Sequence, residues 1–552
     1  MNILYQIYFN FTEKERRIFL VALFMFAVSG FLLALSAFNV KTVEVPVKSS
    51  LYREGIVGQP IKVNPIIASA DADRDLVELL FGNLLELSEN HKVSDDGKTW
   101  NVVLKTDLKW SDGKPLTSDD VIFTIDAIQN TESRSPLFLT WQGVIANRIS
   151  ELEIEFTLRT PYVFFLDNLK EFKVIPRHIF GALPAANLYL SDFNLEPIGS
   201  GPYRFASFKK RKDGFITDYY LEANENFSGQ QPFIKNFQVK FYENSEGLIR
   251  AFNAKRIDGF GGLNPDDAGK LTLSHQVLEK SVPQYYAVFI NKSAKPSLGF
   301  KSVLAALNLA TDKQKLVREA LRGKAFPVNS PILPLMEEYS EEITSSSLKF
   351  SVSMASEVLS KDKWVVNEET KFREKNIGKQ KEVLDFSIVV PNIPFLIKTV
   401  DILKEDWGQI GVKLTPIILD PADVVNEVIK TRNYQMLIFG NILNSNPDIF
   451  SFWHSSERFY PGFNLALYEN KKVDSLLESI RRNTDAESRK TELAQLQRII
   501  AEDSPALFLY SPKYLYAAPK NFGGLEKETI NTPARRFSGV EKWYLDTKRV
   551  FK

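Results

Sequence analysis

The chain has 552 residues, 44% hydrophobic and 25% charged, and a formal net charge of +1 from 69 basic and 68 acidic side chains. That length predicts two or three domains rather than one core, and the composition excludes a disordered chain. The even charge argues against a nucleic-acid binder, while the lack of cysteine excludes disulfides, thiolate catalysis, zinc–thiolate sites and a lipid-modified N-terminal cysteine.

The N-terminal segment 1–17 carries Lys14, Arg16 and Arg17, and an uncharged apolar run follows over 18–40. At 1.5 Å per residue a helix of that length spans roughly 35 Å, enough to cross a bilayer. Ala34-Leu35-Ser36 has the small-x-small form of a cleavage site, but the run exceeds a usual signal core, so an uncleaved transmembrane anchor is expected. Basic residues flank it on both sides, and charge alone does not orient it.

Residues 41–60 read as a linker entering an extended segment. The stretches 100–110 (WNVVLKTDLKW), 149–158 (ISELEIEFTL) and 233–243 (FIKNFQVKFYE) have strand character. TSDDVIFTIDAIQN (117–130) predicts a helix with Thr117 at the N-cap and Asp120 three residues on. A second α/β portion starts near 283: a strand at 285–291, then two helices within 301–323 that break near Thr311 and end at Gly323. The polar stretch 335–382 looks least ordered. Strand–helix–strand units follow over 386–443, helices over 471–502 and a strand over 506–518.

The acidic stretch 107–125 (DLKWSDGKPLTSDDVIFTI) and Ser94-Asp95-Asp96-Gly97 lack the alternating carboxylates of a calcium loop and read as turns and a helix cap. His91, His178, His275 and His454 are scattered, and His454 with Glu457 reads as a surface pair. No nucleophile elbow or phosphate-binding motif occurs, and Pro202 removes a donor from Gly199-Ser200-Gly201. No catalytic residue, metal site or cofactor is expected.

Several segments in order carry a resemblance: LVELLFGNLLEL (76–87), SDDGKTWNVVLKTDLKWSDGKPLTSDDVIFTI (94–125), PIGSGPYRF (197–205), IRAFNAKRIDGF (249–260), YYAVFINKSAKP (285–296), ALNLATDKQKLVREALRGKAFPV (306–328) and residues 488–518. Together they resemble the large extracytoplasmic solute-binding proteins of peptide and nickel ABC importers. The resemblance implies an α/β, periplasmic-binding-protein-like fold with two lobes in three domains around a hinged cleft, after one N-terminal transmembrane helix. Domain I would comprise 45–90, 176–282 and 510–552, domain II 91–175, and domain III 283–509.

It also implies a non-enzymatic, membrane-tethered protein with its large domain outside the cell. Such a protein captures a peptide or other small solute and delivers it to ABC permease subunits. The same fold would also serve a ligand sensor or scaffold that signals without transport. Wall residues carried over by position are Phe81, Gly82, Asn83, Trp141, Phe260, Gly261, Phe439, Gly440 and Asn441. Gly261 and Gly262 would leave room for close backbone approach. Peptide-binding members place an Asp just after the second-lobe strand to hold the ligand's α-amino group, and here Asn444 stands at that count. Asp448 would cap the next helix, and Arg432 reads as a surface arginine rather than a receiver of a ligand carboxylate.

Overall fold

The computed structural model describes residues 11–336, 339–340, 349–443, 446–525 and 529–551. Its first element is the helix Glu13–Lys41, capped reciprocally by Thr12 and Glu15 and so starting ahead of the apolar run. The apolar window of this helix is not buried against any other part of the described chain.

Twelve strands form one sheet in two halves, joined by the strand Ala506–Pro519. The first half runs through Gly259–Gly261, Ser49–Val57, Ile234–Tyr242, Ile216–Ala223 and Tyr203–Lys210. The second runs through Gln284–Ile290, Met436–Ile442, Asp385–Pro391 and Lys413–Leu419. His275–Ser281 pairs with Lys513–Pro519, and Gln284–Ile290 pairs with the earlier part of the same strand, from Ala506 to Tyr510. Two neighbouring chain segments, 282–283 and 511–512, therefore pass side by side from one half to the other. Ser511 and Val282 are both buried there. The strand ladder is interrupted at this crossing, between the Ser281–Lys513 pair of one half and the Tyr286–Tyr510 pair of the other.

Each half has its own core. Tyr52, Tyr203, Phe237, Tyr516 and Trp543 anchor the first. The second lobe packs helices on both sheet faces, around Trp407 on one side and Trp453 on the other. This follows from the near-continuous apolar strands FSIVVP and MLIF, buried on both faces as parallel pairing requires. A four-stranded antiparallel sheet, Ser88–Val93, Thr99–Leu104, Glu153–Thr157 and Ile145–Arg148, builds the inserted domain. Trp100, Val102 and Leu104 alternate inward from its second strand, as the sequence pattern anticipates. That strand stops at Leu104, short of the apolar-rich stretch that continues to Trp110, because the chain turns through a left-handed Asp107.

In 107–125, Gly113 is left-handed, Lys114 N–H donates to Asp112, and Thr117 N–H donates to Asp120 at 2.9 Å. It is a turn and a helix cap. The polar stretch 335–382 is more ordered than expected where it is described. The helix Val352–Lys361 buries Ala355 and Leu359, and Trp364 lies fully buried against Phe300. Two apolar residues one helical turn apart were enough to dock a segment that otherwise reads as solvated.

Candidate functional site

The helix Asp71–Leu80 ends at Phe81-Gly82-Asn83, and its last carbonyl receives Gly201 N–H at 2.8 Å. A Cβ at Gly199 or Gly201 would run into the Leu80 backbone, so Gly199-Ser200-Gly201 is a close-packing seam rather than a phosphate loop. Ser200 Oγ accepts from Gly82 N–H at 3.2 Å, and Asn83 caps the short helix Leu84–Leu87. Phe81 and Asn83 are buried, and Lys173 Nζ donates to the Phe81 carbonyl at 2.5 Å. The segment borders a cavity of about 240 Å³ lined only by residues before 231 and after 536.

A cavity of about 320 Å³ lies where the first lobe, the inserted domain and the second lobe meet. Pro65 and Ala68 enter from the first lobe, Trp141 and Asp167 from the insert, and Asn446 from the second lobe. The Trp141 ring is 2% exposed and packs on Phe172 at 4.5 Å, giving this wall its rigidity. Glu78, Glu171, Lys173 and Arg535 form a charged seam in it. Arg535 pairs with Glu78 and Glu171 at 2.8 Å each, and Lys173 with Glu78 at 3.2 Å. Burial pushes the Glu78 carboxyl up, but Lys173 and Arg535 outweigh it and hold the pKa below its ordinary value. Asp167 accepts from Lys170 at 2.8 Å and from Asn446 Nδ2 at 3.2 Å. Among the described residues, each carboxylate of the wall thus has a partner there.

On the second lobe, Phe439-Gly440-Asn441 pairs with Tyr285–Ala287 along one edge. The neighbouring strand on the other edge pairs only at Met436 and Leu437. Among the described residues no strand covers the second edge of 438–442, and Ile442 is about half exposed. Asn441 is buried and donates to the Tyr285 hydroxyl at 2.9 Å, so its side chain faces the core while its backbone runs along the edge. Asn444 lies outside the described residues.

The first-lobe candidates divide. Phe260 is buried on Phe252, ring centroids 5.3 Å apart, in a strand clamped between Glu54–Gly55 and Tyr516–Ala517. The room beside Gly261 is taken by the Tyr514 hydroxyl, which a Cβ there would strike. Of the residues carried over by position, only Trp141 lines the three-way cavity, while Phe81 and Gly82 line the separate cavity of about 240 Å³.

Two expectations need correction. Arg432 is no surface arginine: it is 6% exposed and donates to the carbonyls of Ile429, Arg458 and Gly462 at 2.6–2.8 Å. Its left-handed backbone and those three bonds clamp a loop. His454 stacks on Phe450 at 4.2 Å and faces Glu478 rather than Glu457. Asp448 does act as a cap, accepting from Phe450 N–H at 3.3 Å, but it also accepts from Tyr162 and pairs with Arg481. Sequence reasoning passed over Asp167, Arg535 and this second role of Asp448. The adjacent Arg535-Arg536 pair in an apolar context was the one available signal.

A sequence model for "Bacterial extracellular solute-binding proteins, family 5 Middle" matches residues 85–459. The chain is 26% identical to "Oligopeptide-binding protein AppA" of Bacillus subtilis (strain 168) over 516 residues, covering 89% of this chain and 91% of that protein. Among solved structures it is similar to the ABC transporter substrate binding protein CtaP from Listeria monocytogenes, with a TM-score of 0.78 at 23% identity over 90% of this chain and 99% of that one. It is also similar to AppA from Bacillus subtilis in complex with a nonapeptide, with a TM-score of 0.72 at 24% identity over 91% of this chain and 100% of that one.

Proposed function

The chain belongs to the bacterial extracellular solute-binding proteins of family 5, and from that membership we propose that it captures peptides between its lobes and hands them to an ABC permease. The observation that carries this reading is the uncovered edge of the strand Met436–Ile442, on the lobe that also contributes Asn446 to the three-way cavity. An extended peptide satisfies such an edge by adding a strand, its backbone supplying affinity while its side chains enter pockets. The internally paired charges of the cavity wall suit a ligand recognised by backbone rather than by a fixed end group.

In this reading 45–90, 176–282 and 510–552 form domain I, 91–175 domain II and 283–509 domain III, and closure rotates domain III about the two crossing segments. The apolar helix within Glu13–Lys41 remains as a membrane tether, with the lobes outside the cell. The protein binds and releases without making or breaking a bond.

The test is mass spectrometry of whatever co-purifies with residues 45–552, joined to a thermal-shift screen of peptides of several lengths. Co-purified peptides and a rise in midpoint are expected. No peptide recovered and no shift across the panel would sink the peptide assignment. Asn444→Asp separates the anchoring question: tighter binding of free-amine peptides, with N-acetylated ones unchanged, is expected if position 444 faces the ligand's N-terminus.

A further inference from the structure

The strand Thr42–Pro46 starts at the residue after the long apolar helix, and its partner is the C-terminal strand Thr547–Phe551. The pairing is antiparallel, with Thr42 opposite Phe551, Val43 opposite Val550 and Glu44 opposite Arg549. The last described residue of the chain is therefore held at the point where the helix ends. Arg549 locks this register, donating to Thr42 Oγ1 at 3.3 Å and to Glu44 at 3.1 Å. Val47 N–H then donates to the Asp546 carbonyl at 2.9 Å, and Ser49–Val57 enters the main sheet two residues later. Helix, ribbon and lobe follow one another with no slack linker between them.

The ribbon stands apart from the twelve-stranded sheet, and a two-stranded sheet of five residues a side is marginal in water on its own. Its composition points to what supports it. Phe551 is 72% exposed and Val43 43% exposed, both at the helix end of the ribbon. Segments 41–48 and 547–552 carry five basic residues, Lys41, Lys48, Lys548, Arg549 and Lys552, against the single acid Glu44. Lys548 is exposed and makes no ion pair among the described residues.

We propose that the C-terminal strand Thr547–Phe551 is a membrane-contact element that seats on an anionic phospholipid surface. Phe551 enters the interfacial layer beside the helix exit, and Lys548 faces the lipid phosphates. Exposed aromatic surface at headgroup depth and basic side chains within a Debye length of anionic lipid both favour that seat. The inference rests on the helix being a retained anchor, and it adds that the lobes are held in one orientation above the bilayer rather than swinging on a tether.

The test uses the full chain reconstituted in vesicles whose acyl chains are brominated, comparing Phe551→Trp with the unaltered protein. In vesicles rich in phosphatidylglycerol the emission of the added tryptophan should be lost, and Lys548→Glu should restore much of it. Full emission from residue 551 in a chain that co-floats with anionic vesicles would overturn the proposal. Equal loss in purely zwitterionic vesicles, indifferent to Lys548→Glu, would overturn it too. A chain that does not float removes the anchor and this inference together. Ligand capture by residues 45–552 is then unaffected, because the thermal-shift screen reads it separately.

Discussion

Tyr162 of the inserted domain donates its hydroxyl to Asp448 of the second lobe at 2.7 Å, across 286 residues of sequence. Arg481 completes the contact: it pairs with Asp448 at 3.2 Å, lies over the Tyr162 ring, and accepts Val163 N–H on its own carbonyl at 3.0 Å. Phe164, next in sequence, is buried in the second lobe's core. The insert is thus clasped to the second lobe, whose rotation is proposed to admit and release the ligand. Tyr162→Phe is expected to weaken the clasp by about 1–1.4 kcal/mol, just under the range for a hydrogen bond to a charged group because the contact is only part-buried. Ligand release should then speed up by roughly five- to tenfold with little change in association, read by stopped-flow fluorescence. An unchanged release rate would mean that the clasp does not open in the binding cycle.

Gly199 sits where a Cβ would collide with the Leu80 carbonyl oxygen, a backbone atom that cannot swing aside. Gly199→Ala should therefore displace the helix end at Phe81 and cost about 3 kcal/mol or more. A large drop in thermal midpoint is expected, with Gly113→Ala, whose Cβ meets nothing within 4 Å but whose φ is +86°, losing less.

Glu54 is fully buried, accepting from Tyr516 at 2.6 Å and pairing with Arg536 at 3.2 Å. Burial pushes its carboxyl up to about 7 from 4.5, against the pull of Arg536 and the Tyr516 hydroxyl. A carboxyl raised on folding binds its proton more tightly in the native state, so its contribution to stability falls as pH rises from 4.5 to 7. Glu54→Gln keeps an acceptor and removes the titration. The stability lost by the wild type between pH 5 and pH 7.5, on the order of 1–3 kcal/mol, should shrink in the variant by chemical denaturation.

Lys313 has the opposite sign. It is buried in the second lobe, donating to the Val328 carbonyl and to Asn329, and burial pushes its ammonium down to about 7 from 10.5. The unfolded chain binds this proton more tightly, so the group's penalty is absent above pH 10.5 and grows as pH falls to 7. Lys313→Met should raise stability at pH 6.5 by about 1–3 kcal/mol and do much less at pH 10. A destabilised variant at both values would show that the two hydrogen bonds outweigh the desolvation.

What could be read in advance followed from local chemistry. Alternation placed Trp100 and Val102 on an inner face, and Thr117 and Asp120 marked a helix start; the helix expected to end at Gly323 stops at Ala320 with Leu321 as its C-cap, and Gly323 is left-handed two residues on. The candidate wall was less legible because its members come from distant segments: Ala68, Trp141, Asp167, Asn446 and Arg535 share a cavity without any spacing rule. Arg432 misled for a related reason. A lone arginine after a helix looks solvated until two of the three carbonyls it holds are brought to it by the loop 458–462.

Arg536 also bears on how the molecule is made. It joins Asp75 through two bonds of 2.7 Å and reaches Glu54, while Arg535 beside it satisfies Glu78. Glu54 and Asp75 belong to the first hundred residues of the chain, and the arginine that pairs with both is residue 536. Throughout synthesis the earliest part of the first lobe carries carboxylates that it cannot bury alone. The first lobe therefore cannot complete these ion pairs until residues 535 and 536 have been made.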